Sequence, residues 1–163
     1  MGSGISGLYL GTLGSIAVPA SLDVMEKSDD FSVNISKRKD VDVNGYLDVI
    51  AHGCSSFVRL CDVNGTHNIN HRQLARLIKN RPDYQRKGIR LFSCETGKGN
   101  YPIAQKLADK LGVPVKAPSE LCWADENGRY FVAKRIESLG RSKPDLQKRG
   151  RFVTFYPGGK GRK

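Results

Sequence analysis

The sequence predicts an α/β fold built around a mostly parallel sheet, and three observations carry that expectation. Apolar β-rich runs alternate with amphipathic helical stretches in the order β(46–51), α(71–79), β(89–93), α(101–111), β(113–117). Turn and breaker signals separate them at Asn64-Gly65, Arg81-Pro82-Asp83 and Gly112. A chain of 163 residues, 39% hydrophobic and 26% charged, is large enough for one domain with a real core and too apolar for global disorder.

Each element has a local reason. The run YLDVIA at 46–51 is rich in β-formers and stops at His52-Gly53. A second short strand at 57–61 closes on the Asn64-Gly65 turn. Asn70 is placed to cap a helix over 71–79, whose Leu74, Ala75, Leu77 and Ile78 make one apolar face. Gly88 leads into a compact strand at 89–93 that ends at Cys94, and the turn 95–100 follows. Pro102 stands near the first turn of the next helix, Ile103, Ala104, Leu107, Ala108 and Leu111 form its stripe, and Gly112 occupies its left-handed C-terminal position. Later strands are expected at 130–136 and 151–156, with Asn127-Gly128 as a hairpin turn.

Residues 1–44 carry weak patterning and are read as an arm or linker with partial order. Residues 45–157 are expected to form the main domain, and 158–163 a basic tail. The apolar stretch 5–20 is broken by Gly7, Gly11, Gly14 and Pro19 and is too short for a membrane span. It also lacks the basic start of a signal peptide.

The formal charge is +11, and eight of those net charges fall within 134–163, where ten basic residues meet two acidic ones. That C-terminal face suits a nucleic acid through phosphate contacts, or an acidic protein. The four cysteines (Cys54, Cys61, Cys94, Cys122) lack zinc-site spacing, and free thiols are expected. His67 and His71 stand four apart, but Asn70 as a cap leaves His67 in a loop with no third ligand, so no metal is assigned. Glu95-Thr96-Gly97-Lys98-Gly99 lacks the full phosphate-loop pattern and is read as a tight turn seating Cys94.

Ligands of parallel sheets bind at the carboxyl ends of strands. His52 and Cys94 both fall just past such an end, so both belong to one edge. A thiol hydrolase needs a sulfur nucleophile, a proton carrier and N–H donors for an oxyanion. Cys94 supplies the first, with a helix N-terminus a few residues ahead of it to favour thiolate. His52 supplies the second, and the amides of Gly53 and Cys94 the third. Cys54, Ser55, Ser93, Glu95, Thr96, Ser119 and Trp123 are the candidate substrate contacts, with Cys54 as the competing nucleophile.

The segments Val49-Ile50-Ala51-His52-Gly53 and Ile89-Arg90-Leu91-Phe92-Ser93-Cys94 resemble the caspase–gingipain–clostripain type of cysteine peptidase. The longer pattern is similar to the C-terminal toxin modules of bacterial polymorphic toxins, which end RHS-repeat and contact-dependent inhibition proteins. It runs through 45–53, 89–97, Ala104-Gln105-Lys106-Leu107-Ala108 and Val113-Pro114-Val115-Lys116-Ala117-Pro118, and the resemblance covers about residues 45–160. It implies a three-layer caspase-like sandwich and a His52/Cys94 dyad that needs no cofactor. It also implies delivery within a larger protein into the cytoplasm of a target bacterium, a protein substrate there, and a cognate immunity protein. A basic nuclease toxin and a non-enzymatic binding module are the competing functions.

Overall fold

The computed structural model describes residues 18–138 and 140–159. Residues 1–17 of the expected arm and residues 160–163 of the basic tail lie outside the described residues. In chain order the elements are β1 (Ser21–Asp23), α1 (Asp30–Ile35), β2 (Tyr46–Ile50), β3 (His52–Gly53), β4 (Val58–Asp62), β5 (Gly65–Ile69) and α2 (His71–Lys79). They continue with β6 (Gly88–Phe92), α3 (Ile103–Leu111), β7 (Val115–Pro118), β8 (Leu121–Ala124), β9 (Tyr130–Ser138), β10 (Arg141–Arg149) and β11 (Phe152–Phe155).

The fold is mixed α/β. A five-stranded sheet runs β11-β7-β6-β2-β1, and every pairing in it is parallel except β11 with β7. Two three-stranded antiparallel sheets, β3-β4-β5 and β10-β9-β8, flank it. The parallel core is explained by its strands: β2 and β6 are largely buried on both faces, with Asp48 and Arg90 paired to each other as the charged positions of one face.

Side-chain alternation sorts the core into two clusters. Leu47, Val49, Ala51, Ile89 and Leu91 face α2 and α3, packing on Leu74, Ile78, Ile103 and Leu107. Ile50 and Phe92 point the other way, into a smaller cluster with Met25, Ile35 and Cys122 against which Phe31, Cys94, Tyr130 and Phe152 pack. This second face is covered by α1, which has only six residues, and by the β8–β9 hairpin.

Residues 18–44, expected as an arm, are built into the body. Strand β1 pairs with β2, and α1 lies on β8. A buried ion network ties the segment down. Asp48, 1% exposed, accepts from Arg38 Nη2 at 2.7 Å and from Arg90 Nε and Nη2, both at 2.7 Å. Both guanidinium groups also stack on the Phe92 ring, at 5.2 and 4.9 Å from its centroid.

Helix α2 has its full capping box between Asn70 and Gln73, and α3 ends on Gly112 at φ 72°, the left-handed region where a Cβ would be strained. Two stretches read as loop or charged surface are strands. His67 lies in β5, which forms because the Asn64-Gly65 turn folds it back on β4. Residues 141–149 form β10 by pairing with β9. No helix among the described residues is long and apolar enough to cross a membrane.

Candidate active site

The register of two adjacent strands positions the site. Ile50 of β2 pairs with Phe92 of β6, and Ala51 N–H donates to Phe92 O at 3.3 Å. His52 and Cys94 are each two residues beyond this pair. Both side chains stand at the same rim and on the face covered by α1, since Cys94 packs on the cluster of Ile50 and Phe92 and His52 meets Asp29 at the start of α1. The two rim loops touch: a Cβ at Gly53 would stand 2.3 Å from Ser93 Oγ and 3.1 Å from Thr96 Cγ2, so only glycine fits there.

Helix α3 holds both loops. Pro102 at its N-cap offers no side-chain cap, and two of the helix's first N–H groups go to the loops instead. Ile103 N–H donates to Ser55 O at 2.8 Å, and Ala104 N–H to Thr96 O at 3.1 Å. The expected help from this helix end to a Cys94 thiolate is therefore absent, because carbonyls occupy those donors. Burial instead pushes the Cys94 thiol above its ordinary pKa.

His52 has a partner that its own motif does not contain. Its Nε2 lies 2.6 Å from Asp29 Oδ2. The imidazole is 49% exposed and the carboxylate 21%. Asp29 is the N-cap of α1, and its Oδ1 accepts from the N–H groups of Phe31 and Ser32 at 2.9 and 3.2 Å. One carboxylate thus fixes a helix end with one oxygen and the imidazole with the other. Neutral His52 in this pairing carries its proton on Nε2, which leaves Nδ1 as the basic nitrogen.

The Cys94 thiol is held by Cys122. Sγ accepts from Cys122 N–H at 3.3 Å and donates to Cys122 O at 3.8 Å, and no hydrogen bond joins it to His52 among the described residues. Around it, Glu95 adopts a left-handed backbone at φ 59°. The N–H groups of Glu95, Thr96 and Gly97 go to Glu120 O, Ser93 O and Pro118 O. Within the turn 94–97 that leaves the Cys94 amide as the one without a backbone acceptor among the described residues.

The other expected contacts divide. Ser93 is buried at the junction of the two loops, and its Oγ has no hydrogen-bond partner. Thr96 is buried and spends its hydroxyl on Ser93 O. Cys54 closes a tight turn, with its N–H on Phe57 O and its Sγ accepting from Ser56 N–H at 3.4 Å. Glu95 and Glu120 are bridged by Lys98 Nζ at 3.3 and 3.1 Å. Ser119 Oγ accepts from Arg151 N–H, and Trp123 Nε1 donates to Ala133 O, so both spend their polar atoms on backbone. All four cysteines are free thiols. His71 opens α2, while His67 meets Asp62 at 3.4 Å.

An α/β body with histidine and cysteine on adjoining strand ends is the class that fold and site define. Residues 20–132 match a family described as a domain of unknown function, DUF8616; the chain belongs to that family. No curated protein and no solved structure matches it.

Proposed function

We propose that the chain is a cysteine-dependent hydrolase acting on a protein substrate, with Cys94 as nucleophile and His52 as proton carrier. The observation that carries this reading is the placement of His52 and Cys94 two residues beyond one paired position of adjacent parallel strands, with Asp29 bound to the imidazole. The same reading takes the body as a caspase-like sandwich, with α2 and α3 as one outer layer.

Because burial favours the neutral thiol, the reaction runs by general base catalysis rather than through a resting thiolate. As substrate enters, Sγ leaves the Cys122 backbone and bonds to the scissile carbonyl carbon. Its proton passes to His52 Nδ1, and the carbonyl electrons move to oxygen, where the Cys94 amide meets the charge. The imidazolium, stabilised by Asp29, returns the proton to the leaving amine as the C–N bond breaks. Water then hydrolyses the thioester by the same route in reverse order.

On this reading, which the resemblance to polymorphic toxin modules supports, the activity is exerted in the cytoplasm of a target bacterium and an immunity protein is its natural antagonist. The test is expression of wild type and Cys94→Ala in bacteria at matched levels, read by growth and by mass spectrometry for new protein termini. Growth arrest and new termini are expected from wild type alone. Equal toxicity of Cys94→Ala, with its folded state verified by circular dichroism, would falsify the mechanism.

A further inference from the structure

The hairpin β9–β10 runs out from the body and has two unlike faces. Lys134, Arg135, Ile136 and Glu137 of β9 are all exposed, as is β10 apart from Pro144 and Asp145. Ile136 pairs with Lys143, so period two puts Lys134, Ile136, Arg141 and Lys143 on one face. Asp145, next along β10, falls where the register shifts, and its Oδ1 accepts from Gln147 N–H at 3.0 Å; none of the three cations makes an ion pair among the described residues. Ile136, 45% exposed, stands at its centre. On the opposite face Arg135 is paired with Glu137 at 3.7 Å, and Arg135 lies across from Pro144. Arg149, across from Ala133 on that face, stacks on the Phe131 ring, so the cations left without an ion pair or a ring stand mainly on the first face.

We propose that this face docks in the major groove of duplex DNA. A two-stranded antiparallel ribbon fits a groove about 12 Å wide, and cations along both strands reach the phosphates on either wall. Ile136, between them, meets base edges, where thymine methyl groups offer apolar contact. The deep, narrow major groove of duplex RNA does not admit such a ribbon. Single strands call for aromatic platforms, and this face has none. A protein partner calls for an interface core richer than one isoleucine. The net charge of +11 draws the chain toward a polyanion. Binding here is independent of the chemistry at Cys94.

The test is fluorescence anisotropy of a labelled DNA duplex of about 20 base pairs, titrated with the full chain from about 50 to 200 mM salt. Affinity should fall with salt by a slope of about −0.9 per phosphate contact. The variant Lys134→Gln/Arg141→Gln/Lys143→Gln should flatten that slope by about three contacts. Arg135→Gln/Glu137→Gln, on the opposite face, should leave it unchanged. The proposal fails if duplex DNA is not bound at the lowest salt or if the triple variant keeps the wild-type slope. It fails equally if duplex RNA, single-stranded DNA or polyglutamate binds more tightly than duplex DNA.

Discussion

Asp29 holds two jobs on two oxygens, and a single substitution separates them. Asparagine caps a helix as well as aspartate does, so Asp29→Asn keeps the hydrogen bonds to Phe31 and Ser32 while removing the charge beside His52. Its stability should stay within about 0.5 kcal/mol of wild type. Its hydrolytic rate should fall by about 10²-fold, because the imidazolium loses its counter-ion. Asp29→Ala should lose the same activity and in addition about 1 kcal/mol of stability. Urea denaturation read beside a rate assay checks both. An Asp29→Asn protein as active as wild type would reduce the residue to a cap.

At the level of elements, the regular pieces were legible where side-chain period and end signals agree. Helix α2 announces itself through Asn70, Gln73 and its Leu74/Ile78 face, and β2 and β6 through β-rich apolar runs interrupted only by Asp48 and Arg90. Three pieces were illegible for physical reasons. Helix α1 is too short for a periodic signal and forms because Phe31 and Ile35 pack on the second cluster. Strand β5 is polar except for Ile69 and exists only as the return arm of a hairpin. Strand β10 contains Pro144 and mostly charged residues, so pairing with β9, not propensity, makes it a strand.

The site followed the same rule. His52 and Cys94 could be read from strand ends. Asp29, 23 positions before His52, and Cys122, 28 after Cys94, could not, since only tertiary packing brings them in. The Arg38–Asp48–Arg90 cluster belongs to this scale because it fastens β1, β2 and β6 to the segment behind α1. Asp48→Asn leaves two guanidinium groups facing a neutral amide in a buried place. It should cost about 3–5 kcal/mol in urea denaturation. A loss under about 1 kcal/mol would mean water reaches the cluster.

For the molecule as a whole, acid is the vulnerable direction. Burial works to raise the carboxyls of Asp40, Asp83 and Asp109. It is outweighed by the Tyr130 hydroxyl and Arg90 at Asp40, by Arg81 at Asp83, and by the Tyr101 hydroxyl and Gly158 N–H at Asp109. All three titrate below the ordinary carboxyl value, so the folded chain takes up those protons less readily than the unfolded chain. Their contribution is complete above about pH 4 and is lost as pH falls through and below it. Asp23, raised by burial, works in the opposite sense and is outnumbered. The denaturation midpoint should therefore drop between about pH 4 and pH 2. An unchanged or rising midpoint would contradict this assignment of the carboxylates.

Two steps separate the Ile50–Phe92 rung from both His52 and Cys94, and that shared even count has its own consequence. Orientation at the rim is a matter of parity. An odd-numbered insertion after either rung would turn one reactive group toward the α2–α3 side and leave the other behind, however well the surrounding loops closed. Lengthening elsewhere, beyond Gly53 or after Gly97, leaves the parity intact, so diversification of this scaffold has room in its loops and none in those two short spacers.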